Sequence, residues 1–372
     1  MLDHGGMHNF VLMTGAHYHN VSMHIQCCQL IQLLVTVIFK VEGALDLCSC
    51  KLFPKLFELF SGTSRGAASI HTFCYRIDPS HRQLSKYCLL RKTIEDFHTV
   101  HLNPRHQFYG VFDGHLGNLA SKYAASSFYH EVEECLSNVD SNIESSQANW
   151  KEDATSKLVQ SFQELHNGII NAVTSSPGGV MDESGTTATI LYVTELAVII
   201  ANVGDSRAIM SQWLIDAKGS ERMTAMQLTV DHVASSTKEQ MQILERGGFV
   251  SEAGGIDRVN GSLAVSRSLG DIKLAPFLSR TPDVFALTKE EANEKCGKFQ
   301  SVAEQSLHCF IILASDGLWD VMSNQEAVDL AWQVIKGNKS GTAFQEAAEV
   351  LTQEAYVRGS SDNIGVCVVA IM

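Results

Sequence analysis

Two distant stretches of the chain share one grammar. Phe108-Tyr109-Gly110-Val111-Phe112-Asp113-Gly114-His115 and Phe310-Ile311-Ile312-Leu313-Ala314-Ser315-Asp316-Gly317 are apolar runs of strand length that break into an acid and a glycine. Both read as buried strands that carry an aspartate to their carboxyl end. In the first, Gly114 is expected to let the backbone turn sharply. An Asp-Gly pair after a strand is, taken alone, most often only a turn. Repetition argues for more, because Ser361-Asp362-Asn363 also borders an apolar run, Ile364 to Ile371. Acids at the ends of several buried strands point to one shared carboxylate cluster.

Composition sets the frame for that cluster. The 372 residues are 45% hydrophobic and 19% charged, enough for a substantial core and against wholesale disorder. A net charge of −13 argues against a nucleic-acid partner, since phosphate backbones attract basic faces. The ten cysteines contain no CxxC, and Cys48-Ser49-Cys50 has no matching second pair, so zinc is disfavoured. Buried free thiols in a reducing compartment are expected, and with them a cytoplasmic or nuclear location.

Residues 1–64 differ from the remainder. His4, His8, His17, His19 and His24 lack regular ligand spacing, and Leu30 to Phe39 is apolar but shorter than the roughly 20 residues that span a bilayer. No basic segment or small-residue cleavage site frames it as a secretory signal. Lys51 to Phe60 has near-helical amphipathic spacing, so membrane association through this extension stays open. Its role is unknown. Residues 65–372 form the domain proper, expected to be a monomer.

Within that domain, strands are expected at Ile70 to Tyr75 and at Phe97 to Leu102. Ala120 to Leu136 and Leu158 to Val173 recur at helical spacing, separated by the polar segment Asn138 to Asn149. Thr186 to Thr194, Leu196 to Val203 and Ala208 to Leu214 are β-rich runs joined so closely that antiparallel pairing is expected throughout. Thr237 to Arg246 reads as a helix ending at a glycine pair. Ser323-Asn324-Gln325-Glu326 has capping-box form, and a last helix runs from Thr342 to Arg358, closed by Gly359. Helices in pairs and strands in antiparallel runs indicate an α+β fold.

Glu95, Asp96, Asp113, Asp205, Asp316, Asp320 and Asp362 flank strands or glycine turns. Two bare carboxylates about 4 Å apart repel by roughly 4 kcal/mol at an effective dielectric near 20, so a cluster needs protons or cations. All-oxygen ligation suits Mg²⁺ or Mn²⁺. Two such ions can share a carboxylate and a water whose lowered pKa gives hydroxide for in-line attack on phosphorus. His115 is placed to protonate a leaving alkoxide, and Arg91 offers a planar fork for a phosphoryl group. Each residue has a plainer reading. Asp205 could cap a turn or pair with Arg207, Asp320 could be a helix-start acid, Arg258 and Arg267 could neutralise loop acids, and His115 could be structural.

These stretches together resemble the metal-dependent serine/threonine protein phosphatases, the PPM or type 2C family. The resemblance rests on Arg91-x-x-x-Glu95-Asp96, Val111-Phe112-Asp113-Gly114-His115-x-Gly117, Ser184-Gly185-Thr186-Thr187-Ala188, Val203-Gly204-Asp205-Ser206-Arg207 and Thr229-x-Asp231-His232. It continues through Gly261-x-Leu263-Ala264-x-Ser266-Arg267-x-x-Gly270-Asp271, Ala314-x-Asp316-Gly317-x-Trp319-Asp320 and Ser361-Asp362-Asn363, in order over residues 65–372. It implies a β-sandwich of two antiparallel sheets flanked by antiparallel helix pairs, with two ions of Mg²⁺ or Mn²⁺ at one end. It implies that Asp113 bridges the ions, Gly114 gives its carbonyl, Asp316 and Asp362 complete one ion, and Glu95 and Asp96 position waters on the other. Asp205 and Asp320 match positions tied to a weaker third ion. Arg91 would bind phosphate, His115 would act as the acid, and residues 231–260 would be the variable flap. The implied activity is dephosphorylation of phosphoserine and phosphothreonine proteins in signalling, by attack of a metal-bridging water. Leu116, at an often small position, Val233-Ala234 and Gln242 depart from the pattern in loop and flap. The rival reading is a catalytically inactive relative that binds kinases or phosphoproteins as a scaffold.

Overall fold

The computed structural model describes residues 84–87, 94–175, 182–215, 220–297, 308–337 and 342–371. The extension 1–64, the strand expected at Ile70 to Tyr75, and Arg91 lie outside the described residues.

Two five-stranded sheets form the centre. One has the order β13 (Asp283–Thr288), β7 (Ala197–Val203), β6 (Ala188–Thr194), β3 (His106–Phe112), β2 (Phe97–Leu102); the other has β1 (Leu84–Tyr87), β15 (Ile364–Ala370), β14 (Phe310–Ala314), β8 (Arg207–Ile215), β9 (Glu221–Gln227). All neighbours in both sheets are antiparallel. Tyr109, Val111, Leu191 and Ile200 of the first sheet pack with Met210, Ile311, Leu313 and Val369 of the second. The alternate residues on the outer faces are apolar too, because each sheet is also covered from outside. Phe108, Ile190 and Ile199 meet α1 (Leu119–Leu136) and α3 (Trp150–Thr174), while Ile312, Val366 and Val368 meet α7 (Asn324–Gly337) and α8 (Ala343–Val357). This double coverage is why β6, β7, β14 and β15 are buried at every residue, where a one-sided antiparallel sheet would alternate. The fold is the expected α+β sandwich with helix layers on both faces.

Several local expectations need correction. The polar segment after α1 holds a short helix, α2 (Val139–Glu144), tied down by Thr194 Oγ1 donating to Asp140 at 2.5 Å. β6 and β7 pair as a hairpin, but β7 and β8 do not pair. The chain crosses there from one sheet to the other. Gly204 permits this with φ 104°, and a side chain on it would strike Thr187 Cγ2 at 2.5 Å. β9, β13 and α5 (Lys289–Cys296) were not legible as elements. α4 (Thr237–Glu245) is followed, after the glycine pair Gly247-Gly248, by a hairpin of β10 (Val250–Ala253) and β11 (Ile256–Val259) that turns at Gly254-Gly255. Cys296 and Cys309 form a disulfide rather than free thiols, since the end of α5 and the entry to β14 meet with a Cα separation of 5.5 Å. Cys135 and Cys367 are free. No helix among the described residues is long and apolar enough to cross a membrane.

Candidate active site

The acids gather at one end of the sandwich because each ends or joins a central strand. Asp113 follows β3, Asp205 occupies the crossover between β7 and β8, Asp316 opens the short α6 (Asp316–Trp319) after β14, and Asp362 precedes β15. Asp113, Asp205 and Asp316 offer carboxylate oxygens that all lie within 4.8 Å of one another. The backbone of Asp113 is clamped: its N–H donates to Thr187 Oγ1 (3.1 Å), and its carbonyl accepts from Thr187 N (2.8 Å) and Thr186 Oγ1 (3.1 Å).

Glycines permit the approach, though not by the sharp turn expected. Gly114 is absent from the residues with positive φ; it belongs to the two-residue strand β4 (Gly114–His115). A Cβ there would collide with the Glu95 carbonyl and with Ser121 Oγ (2.5 Å). Gly317 likewise has no room for a side chain against the Asn363 backbone. Both glycines serve close packing of strand ends.

Electrostatics follows from this crowding. Burial first, then the charges of Asp96, Asp316, Asp205 and Asp362, push the Asp113 carboxyl well above its ordinary range. Asp316 is raised in the same way by burial and by Asp205, Asp362, Asp320 and Asp96. Burial raises Asp205 to about 6, against a lowering hydrogen bond from its own backbone. Four like charges cannot share such a volume uncompensated. Asp316 Oδ1 is buried and has no hydrogen-bond partner among the described residues. An all-oxygen donor set with an orphaned carboxylate oxygen fits a hard divalent cation.

Glu95 accepts from Gly117 N at 3.1 Å, and Asp96 is 2% exposed. Asp320 is exposed at the end of α6, so it is no helix-start acid, and burial followed by the Asp362 charge raises it. Asp205 is not the partner of Arg207, which forks onto Asp231 (Nε–Oδ1 3.1 Å, Nη2–Oδ2 2.5 Å) and stacks on Trp319. Arg267 neutralises Glu239 and Asp283, as its plainer reading had it. His115 Nε2 lies 2.8 Å from both oxygens of Asp271. Burial lowers the His115 pKa, but Asp271, through its charge and hydrogen bond, turns the balance upward.

Two contributors escaped the sequence reading of roles. Asn363 Oδ1 accepts from Glu95 N (2.7 Å) and Asp96 N (3.3 Å), fixing both acids from across the sandwich. Asp271 holds His115. Both stood inside recognised motifs, but only the fold shows what they touch.

A family model described as protein phosphatase 2C matches residues 80–364. The chain belongs to the protein phosphatase 2C family. Among its relatives, probable protein phosphatase 2C 44 of Oryza sativa subsp. japonica is 35% identical over 282 residues, covering 74% of this chain and 73% of the relative. Probable protein phosphatase 2C 20 of Arabidopsis thaliana is 36% identical over 269 residues, covering 70% and 73%. The crystal structure of serine-threonine phosphatase 2C from Toxoplasma gondii superposes with a TM-score of 0.54 at 22% identity, covering 82% of this chain and 94% of that one, a likeness of fold. The structure of a C. elegans sex determining protein gives 0.57 at 21%, covering 87% and 71%. As a protein phosphatase 2C the chain is a metal-dependent protein serine/threonine phosphatase, and Asp113, Asp205 and Asp316 form an acidic cluster in it.

Proposed function

We propose that this phosphatase hydrolyses phosphoserine and phosphothreonine in protein substrates with two bound Mg²⁺ or Mn²⁺ ions, and that the carboxylate cluster is their seat. The observation that carries the reading is the convergence of Asp113, Asp205 and Asp316 from both sheets onto one volume. Asp113, Asp316 and Asp362, with the Gly114 carbonyl, would hold the ions, and Glu95 and Asp96 would orient their waters. Asp205, which lies close to Asp113 and Asp316, would with Asp320 hold a weaker third ion. Bound divalent cations supply an activated water and neutralise phosphoryl charge. Arg91 orients the phosphoryl group through its fork. His115 gives a proton to the serine or threonine oxygen as its bond to phosphorus breaks, so the product leaves as an alcohol. Solvent or the phosphate product takes the proton lost by the attacking water.

The test is phosphate release from a phosphoserine peptide. Release is expected to need Mn²⁺ or Mg²⁺ and to vanish with chelator or with Asp113→Ala. A folded protein that binds Mn²⁺ by calorimetry yet releases no phosphate would instead favour the scaffold reading.

A further inference from the structure

One buried acid near the cluster has no part in the chemistry so far. Asp271 is 3% exposed and sits just after β12 (Leu269–Gly270), with φ 49°. A three-stranded sheet of order β12, β5 (Gly185–Thr186), β4 mounts it opposite His115. In that sheet Gly270 and His115 both register on Gly185, from opposite sides. A Cβ on Gly185 would collide with the Asp271 carboxylate and with His115 Nε2, so the glycine clears the space in which the two side chains meet.

Asp271 is itself braced. Ser268 Oγ donates to its Oδ2, and its backbone N–H donates to the Ser184 carbonyl at 3.2 Å. The preceding Gly270 N–H donates to His166 Nδ1 on α3 at 3.2 Å, which anchors the turn to a core helix. Gly270 takes φ 84°, and a side chain on it would strike the Ser184 carbonyl at 2.6 Å. Asp at a positive φ is tolerated but uncommon, and here several contacts hold it there.

We propose that Asp271 is the positioning residue of the leaving-group acid: it grips His115 through Nε2 and leaves Nδ1 as the nitrogen that protonates the departing oxygen. An ionised carboxylate only accepts, so the nitrogen 2.8 Å from both its oxygens carries hydrogen. After Nδ1 passes its proton to the serine or threonine oxygen, the neutral ring keeps hydrogen on Nε2 and keeps its bond to Asp271. The ring therefore does not turn during the transfer, and the carboxylate fixes both its tautomer and its plane. This inference rests on the reading of His115 as the acid, and the experiment separates the two.

An acid matters for an alkoxide leaving group and little for a stable phenolate, so turnover of a phosphoserine peptide is compared with turnover of p-nitrophenyl phosphate, both with saturating Mn²⁺. Asp271→Asn is expected to lower kcat for the peptide by about 10–100-fold with KM little changed. Its loss on p-nitrophenyl phosphate should be at least about tenfold smaller, in keeping with the size of acid catalysis. His115→Gln should show the same selectivity, and the double variant should be no worse than His115→Gln alone. The ring ¹⁵N signals that vanish in His115→Gln should show hydrogen on Nε2. If His115→Gln is selective but Asp271→Asn loses equally on both substrates, or loses nothing, the Asp271 inference falls and the His115 reading stands. If His115→Gln shows no selectivity, the underlying reading falls and takes the inference with it. Should Asp271→Asn fail to fold, Ser268→Ala carries the test: a selective, smaller loss supports the brace, and an equal loss on both substrates overturns it.

Discussion

Asp113 shows how one residue can be unfavourable for the fold and necessary for the site. Its charge is opposed by burial and by four other acids, and at about 4 Å each such pair costs up to roughly 4 kcal/mol at an effective dielectric near 20. Partial protonation relieves much of this, so Asp113→Asn should stabilise the metal-free protein by about 1–2 kcal/mol, read as a higher Tm in chelator. With Asp113 as the proposed metal ligand, the same substitution should lower phosphatase activity by more than about a hundredfold, since losing a direct ligand exceeds the loss of an outer partner. The pH dependence has a definite sign. The native acids hold their protons to higher pH than the unfolded chain does, so metal-free stability should fall as pH rises from about 4, the unfolded carboxylate value, through about 6, where Asp205 ionises. Thermal melts in chelator at several pH values check this, and a slope that Asp113→Asn leaves unchanged would overturn it. The sequence displayed Asp113 plainly, because an acid that ends an apolar run is a local pattern. It could not display Asn363 or Asp271 in their roles, because each acts on residues more than a hundred positions away.

At the level of elements, the least stable join should be where α4 and the β10–β11 hairpin leave the sandwich. Met241, Leu244, Phe249 and Ile256 of this region are exposed, while Ile243 of α4 and Val259 of β11 pack in a small apolar cluster with Ala234 and Leu278. An ionic network adds to this fastening. Buried Arg267 donates to both Glu239 oxygens from Nε and Nη2 (2.9 and 2.7 Å) and reaches Asp283, the first residue of β13, from Nη1 (2.9 Å). His232 joins at 3.2 Å from Asp283. Burial alone would raise Glu239, but hydrogen bonds from Arg267 bring it below its ordinary value, while His232 and then Arg267 hold Asp283 far down. Acids lowered by folding contribute stability above the unfolded value, near 4, that is lost as pH falls below it. Arg267→Ala strands two acids and should cost about 3–5 kcal/mol, whereas Arg267→Ala combined with Glu239→Gln should recover part of that. Urea titration of both variants checks it, and a cost below about 1 kcal/mol for the single variant would show that the network is not the fastening. Sequence periodicity revealed α4, because its apolar spacing is helical. It missed β9 and the hairpin, whose exposed edges carry no alternation strong enough to read.

For the whole molecule, the decisive fact is that the site closes a seam. Asp113 comes from the sheet of β3, Asp316 and Asp362 from the sheet of β14 and β15, and Asp205 from the strand crossing between them. That the chain forms buried strands was legible from continuous apolar runs. Which sheet each strand joins was not, because β7 and β8 are neighbours in sequence and still part company at Gly204. A cation shared across the seam would add a charged link between two sheets that otherwise meet through apolar packing and the Asn363 hydrogen bonds to Glu95 and Asp96, so its binding should oppose global unfolding rather than the opening of one loop. By mass action, Mn²⁺ at 100 times its Kd adds about 2.7 kcal/mol if the unfolded chain binds none. For a domain of about 300 residues that is a Tm rise of about 4 °C. Hydrogen exchange locates the effect: amides of β3 and of β14 should slow together on adding Mn²⁺, and neither should respond in Asp113→Asn. Protection confined to one sheet would mean that the ion does not span the seam, and the four carboxylates would then have to be divided between separate sites.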